Sequence, residues 1–202
     1  QMFSAIDSVP LTAIAFFMLT GELMTSATIT DRLVALSRAL IGRMRGGLAQ
    51  VNVLVSMFFA GMNGSVVADT ATVGALVLPA MKKAGYPPAF SAAVTAVSST
   101  IGGIIPPSIM MIVLANATEI SVAALFAAGI IPGLLIGAVI MVINHYFAVK
   151  YNFERSDENF SIRRAGKELY RSSFALLIPV VLVGSVMGGI ASVVEAGAIT
   201  AM

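Results

Sequence analysis

The sequence has no cysteine and a single histidine among its 202 residues. Without thiols the chain forms no disulfide, zinc-thiolate site or iron-sulfur cluster, although this absence does not assign a redox compartment. Charged residues are also scarce, at 11%. The 12 Lys and Arg residues against 10 Asp and Glu residues leave a net charge of +2, which gives no support to nucleic-acid binding.

Apolar residues are abundant instead, at 58% of the chain, a composition typical of proteins that lie in a bilayer. The basic residues cluster in short segments between apolar runs, as topology signals do. The sequence therefore predicts an all-α, multi-spanning membrane protein. Gln1 is not an initiator methionine and Met202 lies in an apolar run, so we expect an excerpt of a longer chain.

Apolar runs, charge clusters and helix-breaking residues divide the chain into successive segments. The predicted order is a transmembrane helix over 1–29, an interfacial amphipathic helix over 30–46, a re-entrant helical hairpin over 47–83, a broken transmembrane helix over 87–118, a transmembrane helix over 121–149, a basic cytoplasmic loop over 150–171 and the start of a second repeat over 172–202. Short likenesses between 19–24 and 182–187 favour an inverted-repeat ion-transporter fold.

The hairpin is predicted from length and charge together. Leu48–Met62 has 15 residues and covers only about 22 Å as a helix, whereas a hydrocarbon core is roughly 30 Å thick. Val66–Met81 is similarly short. The outer ends of both arms carry basic residues, namely Arg43, Arg45, Lys82 and Lys83. Because basic flanks favour the cytoplasmic side, we expect the segment to enter and leave the membrane by the same face.

Irregular backbone is predicted at two places, the hairpin tip Asn63-Gly64-Ser65 and the helix break from Gly102 to Pro107. Such backbone is tolerated at membrane depth only where protein or water satisfies it, so we expect tip and break to face each other or a cavity. Converging neutral oxygens suit a sodium ion. The predicted sodium ligands are Asn63, Ser65, Gly102, Ile105 and Pro107. Alternatively, the tip is only a tight polar turn.

Substrate contacts are predicted beside the same two places. Asp69 lies one helical turn beyond the tip, and a carboxylate within a membrane segment is expensive unless it has a function. Alternatively, Asp69 caps the second arm of the hairpin through the helix dipole. Ser98, Ser99 and Thr100 precede the break and offer hydroxyls, although such residues also bond back to their own helix. The predicted substrate-binding residues are Ser65, Asp69, Ser98, Ser99 and Thr100.

Short motifs along nearly the whole chain resemble those of one family, the large membrane subunit of tripartite ATP-independent periplasmic (TRAP) transporters. They are Gly21–Met24, Arg45–Val53, Met57–Gly61, Ala68–Ala71, Pro79–Tyr86, Ser98–Gly102, Ile104–Ile109 and Ala128–Gly133. The family often has Ser at the position of Asn63, and Ser192-Val193-Val194 replaces its usual Thr-Pro-Thr.

The resemblance implies a longer subunit with two inverted repeats and one hairpin in each, of which this chain would be the first repeat and the start of the second. It implies sodium-coupled uptake of an organic acid, either a carboxylate or a sialic-acid-like molecule, by an elevator-type mechanism in the bacterial inner membrane. The expected partners are a periplasmic substrate-binding protein and a small membrane subunit, and sodium is the expected co-transported ion.

An intramembrane hydrolase is a rival function from another class. Its serine form needs a base, but the single histidine, His145, lies near a membrane boundary, and its aspartyl form needs a second mid-membrane Asp. The sequence therefore predicts that the protein is not an enzyme. It is also compatible with a sodium/organic-anion symporter that needs no binding protein. A non-transporting membrane scaffold would explain the helices but would leave hairpin and break without a purpose.

Overall fold

The computed structural model describes residues 9–26, 29–42, 44–153 and 162–201, and this part of the chain contains helices and no β-strand. The helices are α1 (Val9–Ser26), α2 (Ile29–Ile41), α3 (Gly47–Asn63), α4 (Val66–Lys83), α5 (Pro88–Ser99), α6 (Ile109–Thr118), α7 (Val122–Lys150), α8 (Ile162–Met187) and α9 (Val193–Ala201). A 3₁₀ turn, Thr100–Gly103, follows α5 directly. The all-α prediction is therefore confirmed for the described residues.

Helix α3 lies at the centre of the fold. It packs against α1, α2, α4, α5 and α7 and against the 3₁₀ turn. No residue of α3 is exposed, and even its polar residues Gln50, Asn52 and Ser56 are buried, so this helix has no solvent-facing side. Phe59, Val53 and Val55 are accordingly fully buried.

Helices α3 and α4 form an antiparallel pair because only Gly64 and Ser65 separate them and the two helices pack against each other. Helix α3 has 17 residues and is about 25 Å long, which is still less than a roughly 30 Å hydrocarbon core. Helix α5 packs against both arms of the pair. The chain then leaves α-helical geometry after Ser99 and resumes it at Ile109, so the interruption includes Pro106 and Pro107.

One described helix, α7, is by itself long and apolar enough to cross a membrane. Helix α8 is long and apolar enough to cross a membrane only if its two segments, Ala165–Ser173 and Ala175–Met187, are counted together. The axes of these segments are bent by 54° relative to each other. Pro179 explains a bend there, because its ring removes a donor to the carbonyl of Ala175 and crowds it. In the predicted span over 1–29, the uninterrupted apolar helical stretch is the shorter Thr12–Glu22.

The predicted basic loop over 150–171 needs a correction. Helix α7 continues to Lys150 and α8 begins at Ile162, so the second half of that segment is helical, while residues 154–161 lie outside the described ranges. The loop is predicted from its charges alone. Lys and Arg are good helix formers, however, and a basic segment can continue an apolar helix into water.

Glycines on one face of α7 allow this helix to approach the interruption after α5. A Cβ atom at Gly129 would lie 2.5 Å from the carbonyl oxygen of Ile104, and one at Gly133 would lie 2.5 Å from Cγ1 of Ile105. Gly137, one turn further, meets the side chain of Met57 in α3 in the same way. The small residues therefore fix α7 against both the interruption and the central helix.

We expect Gly129→Ala to destabilise the protein by about 1–3 kcal/mol, because the new methyl group meets the Ile104 carbonyl and Met111. The measurement is the Tm of the full-length subunit in detergent. Gly166→Ala is the matched control, since a Cβ atom there has no neighbour within 4 Å. Equal Tm values for the two variants would contradict close packing of α7.

Candidate functional site

The hairpin tip consists of Asn63, Gly64 and Ser65. Gly64 adopts a left-handed conformation with φ 60°, which ends α3, and its N–H donates to the carbonyl oxygen of Ala60. The backbone N–H of Ser65 donates to Oδ1 of Asn63 at 3.1 Å. The Ser65 hydroxyl oxygen in turn accepts from the N–H of Ala68 and caps α4. The tip is thus a tight turn held by its own side chains.

The tip touches the helix interruption directly. The N–H of Ile109, at the start of α6, donates to the carbonyl oxygen of Gly64 at 3.2 Å. A Cβ atom at Gly64 would lie 2.5 Å from the carbonyl oxygen of Pro107, so glycine is required here by space as well as by conformation. At the other end of the interruption, a Cβ atom on Gly102 would lie 3.7 Å from the carbonyl carbon of Ser65.

All five residues predicted as sodium ligands therefore lie at this junction or beside it. Asn63 is 4% exposed, and Gly102 and Pro107 are buried, whereas Ser65 and Ile105 are half-buried. Among the described residues, the carbonyl oxygens of Ile105 and Pro107 accept no hydrogen bond. The junction consequently has spare backbone acceptors in an otherwise packed region.

Helix α1 closes the tip from another side. A Cβ atom at Gly21 would lie 2.6 Å from the Cβ atom of Asn63. The absence of a side chain at Gly21 therefore lets α1 lie directly on Asn63. This contact gives a structural reason for the glycine of the Gly21–Met24 motif.

Behind the tip, α3 and α5 are joined by a buried chain of polar side chains. Nδ2 of Asn52 donates to the Thr95 hydroxyl at 2.7 Å, and the hydroxyl of Ser98 donates to Oδ1 of Asn52 at 3.2 Å. The Ser56 hydroxyl donates to that of Ser98 at 3.2 Å. Ser99 lies beside them, and its hydroxyl donates to the carbonyl oxygen of Thr95 at 2.8 Å. All of these side chains are buried.

Asp69, in the first turn of α4, faces this polar chain. Its side chain is 0% exposed, and the hydroxyls of Ser99 and Ser56 interact with it. Neither hydroxyl has hydrogen-bond geometry toward the carboxylate, and within the described ranges both carboxylate oxygens have no partner. A fully buried carboxylate without a donor is costly, which singles Asp69 out from the other acidic residues.

The residues predicted to bind substrate fall into two groups by exposure. Thr100 is exposed and Ser65 half-buried, whereas Asp69, Ser98 and Ser99 are fully buried. The Thr100 hydroxyl donates back to the carbonyl oxygen of Val97 at 2.7 Å. Ser65 and Thr100 are therefore accessible from outside the bundle, and the other three lie behind them.

Asn52, Ser56 and Thr95 were not predicted as site residues, although they complete the buried polar chain. A signal was present for two of them. Asn52 and Ser56 are one helical turn apart in an apolar segment, so they share a face of α3. Polar residues that share one face of a membrane-embedded helix are candidates for a common contact.

The family model for the DctM component of tripartite ATP-independent periplasmic transporters matches residues 1–202. The chain belongs to this family. The resemblance drawn from the motifs is thereby confirmed over the whole chain. The relatives that follow are named as transporter permeases.

Several curated DctM relatives are similar to the chain. It is 36% identical over 202 residues to the sialic acid TRAP transporter large permease protein SiaM of Vibrio cholerae, and 37% identical over 202 residues to the C4-dicarboxylate TRAP transporter large permease protein DctM of Pseudomonas aeruginosa. It is 38% identical over 195 residues to the 2,3-diketo-L-gulonate TRAP transporter large permease protein YiaN of Escherichia coli. These matches cover 96–100% of this chain but only 46–47% of the relatives. The chain therefore spans about half the length of the curated relatives it matches.

An intramembrane hydrolase has no geometric support in this DctM-family chain. The single histidine, His145, is exposed on α7, and among the described contacts it forms no hydrogen bond with Ser65. Within the described residues, no group of three or more His, Cys, Asp or Glu side chains is arranged to hold a metal ion.

We expect Gly64→Ala to disrupt the junction, because alanine is strained at φ 60° and its methyl group meets the Pro107 carbonyl. The matched control is Gly85→Ala, where φ is 77° but no atom lies within 4 Å of a Cβ atom. The control bears the conformational cost of roughly 1 kcal/mol without the collision. Thermal unfolding of the full-length subunit should show a larger Tm loss for Gly64→Ala, and equal losses would contradict a tight junction.

Proposed function

We propose that this chain provides one half of a sodium-coupled organic-acid permease, in which the hairpin tip and the helix interruption together bind sodium. One observation carries the proposal: the Gly64 carbonyl oxygen accepts from Ile109 across the junction, so two irregular segments of backbone meet at one point. Irregular backbone of this kind is found in membrane transporters where it lines an ion or substrate site.

The chemistry of the junction suits a hard monovalent cation. Asn63 and Ser65 supply side-chain oxygens, and Gly102, Ile105 and Pro107 supply carbonyl oxygens. Sodium, like calcium and magnesium, is a hard cation that prefers oxygen ligands. Coordination by neutral oxygens keeps the affinity moderate, which a transporter needs because the ion must leave again.

The names of the relatives support an organic acid as the substrate class. Their names specify sialic acid, C4-dicarboxylates and 2,3-diketo-L-gulonate, all of which are organic acids. We assign Ser65 and Thr100 to the accessible side of the substrate path, with Asp69, Ser98 and Ser99 behind them. The remaining half of the pathway would come from a second, inverted repeat outside this chain.

The complete transporter would include a periplasmic substrate-binding protein and a small membrane subunit, as the tripartite family description implies. It would lie in the bacterial inner membrane and move its substrate by an elevator-type displacement of the domain that carries the hairpin. The mostly apolar exposed surface of α7, including Ile131 and Val142, suits contact with lipid or a membrane partner.

The deciding experiment is uptake by proteoliposomes that contain the full-length large subunit and the small subunit. The binding protein is first screened by thermal shift against sialic acid, C4-dicarboxylates and 2,3-diketo-L-gulonate, and the ligand found is used as substrate. We expect uptake to require both the binding protein and an inward sodium gradient. Uptake that is unchanged when sodium is equal on both sides would contradict coupling, and uptake without binding protein would favour a simple symporter.

Ser65→Ala should raise the sodium concentration for half-maximal uptake by roughly tenfold, the scale expected when an ion loses a supporting ligand. The substitution also removes a helix cap, which alone costs about 1 kcal/mol. Ser121→Ala is the matched control, because the Ser121 hydroxyl caps α7 at the same 3.4 Å distance, away from the tip. If both variants shift the sodium dependence equally, Ser65 is only a cap.

A further inference from the structure

A second set of oxygen ligands surrounds the Asp69 carboxylate. Asp69 comes from α4, Ser56 from α3 and Ser99 from α5, so three helices meet at this point. All three side chains are fully buried. Within the described part of the chain, no basic side chain forms an ion pair with Asp69, and neither carboxylate oxygen has a hydrogen-bond donor.

The two neighbouring hydroxyls also form hydrogen bonds away from the carboxylate. The Ser56 hydroxyl lies 3.2 Å from the Ser98 hydroxyl, and the Ser99 hydroxyl lies 2.8 Å from the Thr95 carbonyl oxygen. A serine hydroxyl has one hydrogen but two acceptor lone pairs. Asp69 is therefore surrounded by hydroxyl oxygens, and among the described residues no basic side chain pairs with it.

We propose that Asp69, Ser56 and Ser99 bind a second sodium ion, separate from the ion at the hairpin tip. Burial of a carboxylate is stabilised when it is paired with a cation. An anionic carboxylate with two hydroxyl oxygens is a ligand set for a hard cation. A bound proton would also neutralise Asp69, but it needs only one acceptor, whereas oxygens from three helices converge here.

This second site deepens the proposed function, on which it rests, because the same elements form both sites. Asp69 lies one helical turn, about 6 Å, from Ser65 along α4, and the Asp69 N–H donates to the Ser65 carbonyl oxygen at 3.0 Å. Ser99 likewise lies close to Gly102 in sequence, where α5 passes into the 3₁₀ turn. The ion at Asp69 would therefore lie deeper along the hairpin than the ion at its tip.

The test is equilibrium binding of radioactive sodium to the purified complete permease, without substrate or binding protein. We expect Asp69→Asn and Asn63→Ala each to bind one sodium ion fewer per large subunit than the wild type, and the double variant to bind two fewer. Ser99→Ala should lower the affinity for the sodium ion at Asp69 roughly tenfold, and Ser99→Thr should restore it. The matched control is Ser91→Ala, whose buried hydroxyl on α5 bonds only to the Pro87 carbonyl.

The possible outcomes distinguish a failure of the second sodium site from a failure of the proposed function. An unchanged sodium count in Asp69→Asn overturns the second site, as does a double variant that loses no more than either single variant. If the Asn variant does not fold, equal sodium affinities in the Ser99→Ala, Ser99→Thr and Ser91→Ala proteins overturn it instead. A wild-type permease that binds no sodium at all contradicts the proposed function itself.

Discussion

Backbone that leaves helical geometry inside an apolar bundle must find hydrogen-bond partners. Here the hairpin tip and the helix interruption provide some of these partners for each other. The N–H of Ile109 after the interruption donates to the Gly64 carbonyl at the hairpin tip. Pro107 can approach Gly64 this closely only because the glycine has no side chain. Several other close contacts, including Gly21 of α1 on Asn63 and Gly129 of α7 on Ile104, hold the two segments in that position.

At the junction between the hairpin tip and the interruption, more of the hydrogen-bond donors than of the acceptors have partners. At the tip, the N–H groups of Gly64, Ser65 and Ala68 all have partners. Pro106 and Pro107 have no N–H to offer, so their segment contains more carbonyl oxygens than donors. The carbonyl oxygens of Ile105 and Pro107 remain without hydrogen bonds among the described residues. A surplus of acceptors follows from proline chemistry, and it is the electrostatic condition that favours a cation.

The tip and the interruption could be predicted from the sequence because each depends on the conformational preferences of a few adjacent residues. Gly64 ends a helix, and Pro106-Pro107 prevents one. The sequence could not predict which of the polar side chains behind them contact one another. The contact of Asn52 with Thr95 and that of Ser56 with Ser98 join helices that are distant in sequence, and their polarity alone does not say which side chains meet. The start of α8 differs from the predicted loop because Lys and Arg, although typical of cytoplasmic segments, also favour helices.

The buried polar chain also bears on how ion binding and shape are coupled. An unpaired, buried Asp69 makes the packed arrangement of α3, α4 and α5 costly, so a cation that bound only this arrangement would stabilise it by mass action. An ion at the proposed tip site would stabilise the same contact between α4 and the end of α5. Two ions that favour one packed state raise each other's affinity, and this effect is reciprocal. The proposed pair of sites thus provides a physical route by which sodium would hold the hairpin closed against the interruption before substrate moves.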